Sequence, residues 1–561
     1  MLQKLSLSIL FLLVFFCCNG QDNQASIRRQ VDSLDNIQPV ALKKVKPLGR
    51  NYSIYINNQK QFDGINQIIT SAIRAGYKNI RIKIGPGVYH FKEYHILRKD
   101  ESADDVCIII EGYKAILSSE SNYNSKISSE PWGLLIKAEG LIEVVDTIQK
   151  ICFIPFRNSY TSEDFERLTK VQITQMYRAV IYDVHHIDKQ GIYFVASDLH
   201  FCQDFFRKGY NVNYDYLYKE KTPRFRLYDK LKDQGHNASR FLVLVNSNYR
   251  SFTISGIRFS GNGKDGALFM TNRMCTEQFH ISNCLFENIK SSVGIFGETG
   301  NILFEKNTIR NTEGNELLFT RGCDNIRIIN NLFENCGNGL SQTFCLNCGE
   351  SKYYIANNTF RDFGYAAIGV GVSYLQNKDH YSGGIIEYNE FYYTPTYIAH
   401  KDKHTLMDSG AIYAWTQNDD VIIRYNYIHD YEGAGDNRGI FCDDGACNIK
   451  IYGNIVLNTP DGYSIDSRYV KDQRYGLKNN SNNFIAFNVV DNKVRFMGCE
   501  TERRHCVKGA NFIISEEPIT KNKFSCLDLQ VEDIKTREYF NYSLFKRLGC
   551  KKYIQKLINN H

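Results

Sequence analysis

The sequence predicts an all-β solenoid, a right-handed parallel β-helix wound from single short strands. Three observations predict it. A ten-residue frame recurs along the chain: two alternating apolar positions, then Asn, x, apolar, x, and Asn or Asp. It fits Ile302 to Asn311, Ile326 to Asn335, Tyr353 to Asp362, Val421 to Asp430 and Ile449 to Asn458. Weaker copies run from Ser251, Phe279, Gly384 and Asn483. The sixth place of the frame falls at Gly256, Cys284, Asn307, Asn331, Asn358, Asn389, Asn426, Asn454 and Asn488, so Asn holds seven of nine. Finally, 561 residues exceed what one compact core holds, while 43% apolar and 23% charged residues mark a folded chain. Alternation of period two excludes helical repeats, whose interior would recur near every 3.6 residues. Parallel strands joined in one sense wind right-handed. Asn at a recurrent bend suits a stacked ladder, each amide bonding the copies on either side and tolerating left-handed backbone.

The elements follow in order. Residues 1–20 read as a signal peptide: Lys4, then an apolar run from Ile9 to Phe16 too short to span a bilayer, then Cys18-Asn19-Gly20 for cleavage. A rival reading makes Cys17 or Cys18 a lipid anchor. Either way the chain is expected to be secreted, periplasmic or at the cell surface. Residues 21–50 read as a polar, mobile lead-in. The segment 51–134 holds an N-terminal cap and the first coils, with Asp63 capping a helix from Gly64 to Arg74. Ile80 to Ile84 then alternates as a strand, and Gly85-Pro86-Gly87-Val88-Tyr89 turns into the next. The frame is lost over 135–241, an inserted β-rich module in which Lys219 to Arg226 is a solvated loop. It returns over the main helix, 242–499. Residues 500–561 are expected to cap the far end, with a helix over 539–560, as an open solenoid end requires.

A net charge of +7 over this length is far from the basic stripe of a nucleic-acid binder, and no later apolar run is long enough for a membrane helix. A monomer is expected. Outside the leader, 15 of the 17 Cys remain, too sparse for a disulfide scaffold. They read as interior packing, with bridges such as Cys442 to Cys447 or Cys499 to Cys506. Cys345-x-x-Cys348 has no second pair at ligand spacing, so no metal is expected.

The chemistry is expected between Asp408 and Arg468, where three Gly-opened strands begin at Gly410, Gly439 and Gly462. Aligning these glycines puts Ala414, Asp443 and Asp466 in one row, and Trp415, Asp444 and Ser467 in the next. Coils about 4.8 Å apart would bring carboxylates close enough to hold one protonated beside one ionised, as glycoside hydrolysis needs. Asp408, Asp443 and Asp444 are the catalytic candidates. Tyr413 and Trp415 offer a flat surface for a sugar ring, and His404, Asp466 and Arg468 are further substrate contacts, with His429 also considered. Asp430 sits at a recurrent frame position and reads as a turn residue.

The helix, strand and Gly-Pro-Gly-x-Tyr order resembles the opening of pectate-lyase-like β-helix enzymes. Asp-Ser-Gly-Ala-Ile-Tyr from 408, Tyr-Ile-His-Asp from 427, Gly-Ile-Phe-Cys-Asp-Asp-Gly from 439 and Tyr-Gly-Asn from 452 resemble glycoside hydrolase family 141, the α-L-fucosidase and xylanase type. The resemblance implies a secreted hydrolase of complex polysaccharides, with an Asp pair falling on Asp408 and on Asp443 or Asp444. Phe441 and Cys442 depart from the residues that usually precede Asp-Asp. Two alternatives stay open. A polysaccharide lyase on the same fold would bring calcium and a basic residue such as Lys401, His404 or Arg468. A non-catalytic glycan-binding or surface solenoid would need neither.

Overall fold

The computed structural model describes residues 26–90 except 28, 43 and 44, then 103–118, strand segments between 134 and 245, most of 249–496, and short strands as far as 531. Residues 1–20, Asp408, His404, Asp444, Arg468, Cys447, Cys499, Cys506 and 539–560, on which several expectations fall, lie outside the described residues.

Each coil has three short strands, stacked in parallel register on their counterparts in the next coil. The front wall is a ten-stranded sheet that includes Phe344–Cys348, Ala366–Val370, Ser409–Ala414, Asn437–Cys442 and Tyr463–Ser467. The second and third walls belong to one 24-stranded sheet. The second runs through Ser351–Ala356, Gly383–Glu387, Asp420–Arg424 and Ile449–Tyr452. The third runs through Thr359–Phe363, Glu390–Tyr392, Tyr427–Ile428 and Ile455–Val456. The chain is an all-β right-handed parallel β-helix.

The turn between second and third walls holds the Asn ladder. The side-chain oxygen of Asn331 accepts from the backbone N–H of Asn307 (2.9 Å) and from its amide (3.2 Å), and Asn331 donates onward to Asn358. The pattern continues through Asn389, Asn426 and Asn454 to Asn488. Each amide also donates to a carbonyl of the preceding coil, as Asn426 does to Ile386 O at 2.9 Å. These Asn side chains are fully buried, so the ladder supplies the hydrogen bonds that backbone at a tight interior bend would otherwise lack.

The left-handed backbone lies one place earlier than the sequence suggests. Asn330, Asn357, Tyr388, Tyr425, Gly453 and Phe487 have φ between 54° and 66°, and the ladder Asn that follows each does not. The tenth place of the frame is left-handed too, at Asn311, Asn335, Asp362, Asp430 and Asn458, which makes Asp430 the turn residue expected. Gly256 (φ 67°) is a fifth-place residue, since Phe252 pairs with Phe279, so that copy of the frame starts one residue later than read from sequence.

Inside, like stacks on like. Phe333, Phe360 and Phe391 superpose with ring centroids 4.7 and 4.9 Å apart, and Leu346, Ile368, Ile412, Ile440 and Ile465 line the inner face of the front wall. Seven described cysteines, Cys345, Cys348 and Cys442 among them, are buried and in no disulfide. Cys442 therefore does not form the bridge to Cys447 that the sequence suggests. The helix Ile65–Arg74 closes the first coil with Ile65, Ile69 and Ala72. Its N-cap is Gly64, and Asp63 instead ends a short preceding helix capped by Asn58.

Between Leu134 and Asp229 the described strands form a separate seven-stranded sheet, antiparallel throughout. The strands flanking it in sequence, Ala103–Ser118 and Tyr249–Ser260, pair directly with each other. The described residues of 26–49 hydrogen-bond along the outside of the second wall, from Tyr452 down to Asn79.

Candidate functional site

Alternation along the front wall sends one row of side chains away from the core. Gly369, Tyr413, Phe441 and Asp466 occupy that row in successive coils. Tyr413 and Phe441 join Phe344, Tyr365, Ala366 and Trp415 in an apolar cluster separate from the solenoid core. Tyr413 is its hub: its ring meets Phe441 edge-on at 5.2 Å, Phe344 at 6.0 Å and Tyr365 at 5.8 Å. Such pairs each add about 0.5–1.5 kcal/mol beyond their buried area, which fixes the Tyr413 ring. Gly369 leaves room for this packing, since a Cβ there would stand 2.5 Å from Phe344 Cδ1.

The Tyr413 hydroxyl donates to Asp443 Oδ2 at 2.8 Å. Asp443 directly follows the strand Asn437–Cys442, and its backbone N–H extends the ladder to Ala414 O at 2.9 Å. Tyr413, Trp415 and Asp443 keep 8%, 9% and 4% exposure, whereas Phe441 and Asp466 keep none. The patch and its carboxylate are thus nearly closed to solvent, with Tyr413 and Trp415 the most exposed members. Burial, with the carboxylates of Asp466 and Asp443 nearby, pushes the Cys442 thiol well above its ordinary value, so it stays protonated and inert.

One coil on, Asp466 takes 2.8 Å from Arg438 Nε, and the guanidinium lies 4.0 Å above the Phe441 ring. Both side chains are buried, at 1% and 0%. Asp466, read from sequence as a substrate contact, is thus committed to an internal ion pair. Arg438 has no role in the sequence reading; its place opposite Gly410 in the register is the signal that could have found it.

That register corrects the glycine alignment. Gly410 pairs with Arg438 rather than Gly439, and Asp466 pairs with Phe441 rather than Asp443. The inward apolar row Ile412, Ile440, Ile465 sets the register, because slipping by one would turn that row outward. Gly439 is glycine for a local reason: a Cβ would stand 2.3 Å from Val456 Cγ1 and 2.6 Å from Ser464 O.

Ser409, the chain neighbour of Asp408, pairs with Asn437, at the opposite end of the strands from Asp443. Six residues of strand, about 20 Å at ~3.3 Å each, separate the two ends. Glycosidase carboxylates stand roughly 5–9.5 Å apart. His429 lies on the third wall, its ring stacked between Tyr427 and Tyr392, with Asp430 at 2.9 Å and Glu390 at 3.5 Å.

A family profile described as "Right handed beta helix region" matches residues 236–381. Among solved structures the chain is similar to one described as "Glycoside hydrolase", at 9% identity and TM-score 0.40, covering 73% of this chain and 95% of that one. It is also similar to a hyperthermoactive exopolygalacturonase from Thermotoga maritima, at 11% identity and TM-score 0.25, covering 78% of this chain and 91% of that one. A third is the Gp54 tailspike of Acinetobacter baumannii bacteriophage AP22 in complex with capsular saccharide, at 8% identity and TM-score 0.16, covering 83% and 76%. A search of curated proteins finds no match.

Proposed function

We propose that this chain is a secreted, carbohydrate-active β-helix that hydrolyses a polysaccharide at the front wall, with Asp443 as the essential carboxylate and Asp444 as its expected partner. One observation carries the reading: a carboxylate whose oxygen is fixed by a tyrosine hydroxyl within an aromatic patch on the outward row of the front wall. Aromatic faces bind sugar rings through their apolar C–H surface, and a fixed carboxylate can serve as acid, base or nucleophile toward the bond held beside it. Tyr413 performs two tasks here, packing the platform and orienting Asp443. Arg438 and Asp466 hold the next coil in place beneath them.

The test is digestion of a panel of plant and host glycans by the full chain and by Asp443→Asn. New reducing ends without unsaturated sugars, lost in the variant, are expected. Unsaturated ends abolished by chelator would replace hydrolysis with a calcium-assisted lyase reaction. Binding without product on every glycan would leave a glycan-binding solenoid, and equal product from the variant would remove Asp443 from the chemistry.

A further inference from the structure

We infer that the N-terminal segment is a clasp that fixes the spacing of the two coils carrying Tyr413 and Asp443. The helical turns around Ile27 and Val31 bury both side chains against Ile422, Tyr425, Tyr452 and Phe484, on the outer face of the second wall and its turn. Where that helix ends, the Asp35 carboxylate accepts the Tyr425 hydroxyl at 2.8 and 2.7 Å and the Tyr452 hydroxyl at 3.1 Å. Tyr425 and Tyr452 come from successive coils. Their front-wall strands are Ser409–Ala414 and Asn437–Cys442, which supply Tyr413 and lead into Asp443.

Arg424 completes the lock. Its side chain is 4% exposed and lies 3.6 Å from Asp35. It donates to Leu34 O (2.9 Å), Ile37 O (3.2 Å), Tyr452 Oη (3.1 Å) and Glu387 Oε2 (2.6 Å). The segment then descends the stack, accepting from Arg327 at Val40 O and from Arg250 at Lys46 O, and ends on Asn79 in the first coils. One carboxylate thus bridges two coils from outside, on the wall opposite the candidate site, and a single strap ties those coils to the start of the stack. Hydrogen bonds to charged groups in a buried setting are the strong ones, so the tie resists coil sliding more than apolar cover alone would. Its partners lie about 390 residues away in sequence, so the clasp closes only after the late coils have formed.

The test uses the full chain carrying Trp132→Phe, which leaves Trp415 as its one tryptophan and a reporter on the front wall. Asp35→Ala and the pair Tyr425→Phe/Tyr452→Phe are compared by amide hydrogen exchange and acrylamide quenching. Each is expected to speed exchange over 409–456 roughly tenfold, the factor that losing hydrogen bonds to a charged group gives. Trp415 quenching should rise, exchange over 279–310 should hold, and the triple variant should be no worse than the worse parent. Unchanged exchange over 409–456, or an equal rise over 279–310, overturns the clasp. If Asp35→Ala does not fold, Asp35→Asn, which removes the charge facing Arg424, is read by the same criteria. No substrate enters these measurements, so their outcome is separate from that of the glycan digestion.

Discussion

The side-chain amide of Asn389 donates to the side-chain oxygen of Asn426 at 3.0 Å, although 37 residues separate them. That spacing is as short as in the tightest coils, where Asn307 and Asn331 are 24 residues apart at 3.2 Å. The ladder therefore keeps its spacing although the two intervals differ by 13 residues (37 against 24).

Removing one rung leaves several buried groups without partners. Asn426 accepts from the N–H and amide of Asn389 and donates to Ile386 O and Asn454 Oδ1. Asn426→Ala should destabilise the chain by about 3–5 kcal/mol, at ~1–3 kcal/mol for each buried group left unsatisfied. Urea unfolding checks this; a loss below about 1 kcal/mol would mean that water fills the vacated rung.

The Arg438–Asp466 pair should show the asymmetry of buried ion pairs. Asp466→Ala removes the carboxylate that faces a charge whose side chain is 1% exposed and should cost about 3–5 kcal/mol. Arg438→Met with Asp466→Leu should recover most of that loss. Denaturant midpoints of the unsubstituted chain and the two variants decide it. A double variant as unstable as Asp466→Ala would show that the pair's shape, rather than its charge, matters.

Tyr413→Phe retains the aromatic packing and removes only the donor to Asp443 Oδ2. Stability should fall by about 1 kcal/mol, the net value of one hydrogen bond. Turnover on the glycan found in the panel should fall by about ten- to a hundredfold. Full turnover would confine Tyr413 to packing.

Asp491 should make the fold less stable toward neutral pH. Burial raises its carboxyl above 3.8, against the N–H of Asn458, which reaches Oδ2 at 2.5 Å, and a hydrogen bond from Ser464. A raised folded value means the folded chain holds this proton more tightly than the unfolded chain. That stabilisation is complete below about 3.8 and is lost as pH rises through the folded value. Asp491→Asn resembles the protonated acid, so it should raise Tm at pH 7 and lose that advantage near pH 3. Neighbouring Asp430 has the opposite sign: burial raises it, but hydrogen bonds from His429 and Asn458 and the attraction of His429 bring it below its ordinary value. Its contribution disappears only in acid, so the two are separable in a melting series across pH.

The ladder was legible because one residue type recurs at one bend, and an interior amide chain tolerates few substitutes. The left-handed place beside it was not, because Asn, Tyr, Phe, Lys and Gly all occupy it. Tyr413 and Trp415 could be picked out from sequence as aromatics of one strand and its end, but not their packing with Phe344 and with Tyr365, which stands just ahead of the strand Ala366–Val370, because no spacing rule carries the front-wall register across. The glycine alignment misled because Gly410 and Gly439 share a residue type and not a cause. The docking of Asp35 left no trace in sequence, since a short polar segment does not announce partners nearly four hundred residues on.

Ser251 sits against Cys107, and Phe259 against Leu117, as neighbours in one parallel sheet that absorbs two register shifts between these strands. The seven-stranded unit encoded between them hangs from a seam that the solenoid has already sewn shut. Such a port lets a whole accessory module be exchanged, enlarged or discarded over evolutionary time without unpicking a single rung of the scaffold.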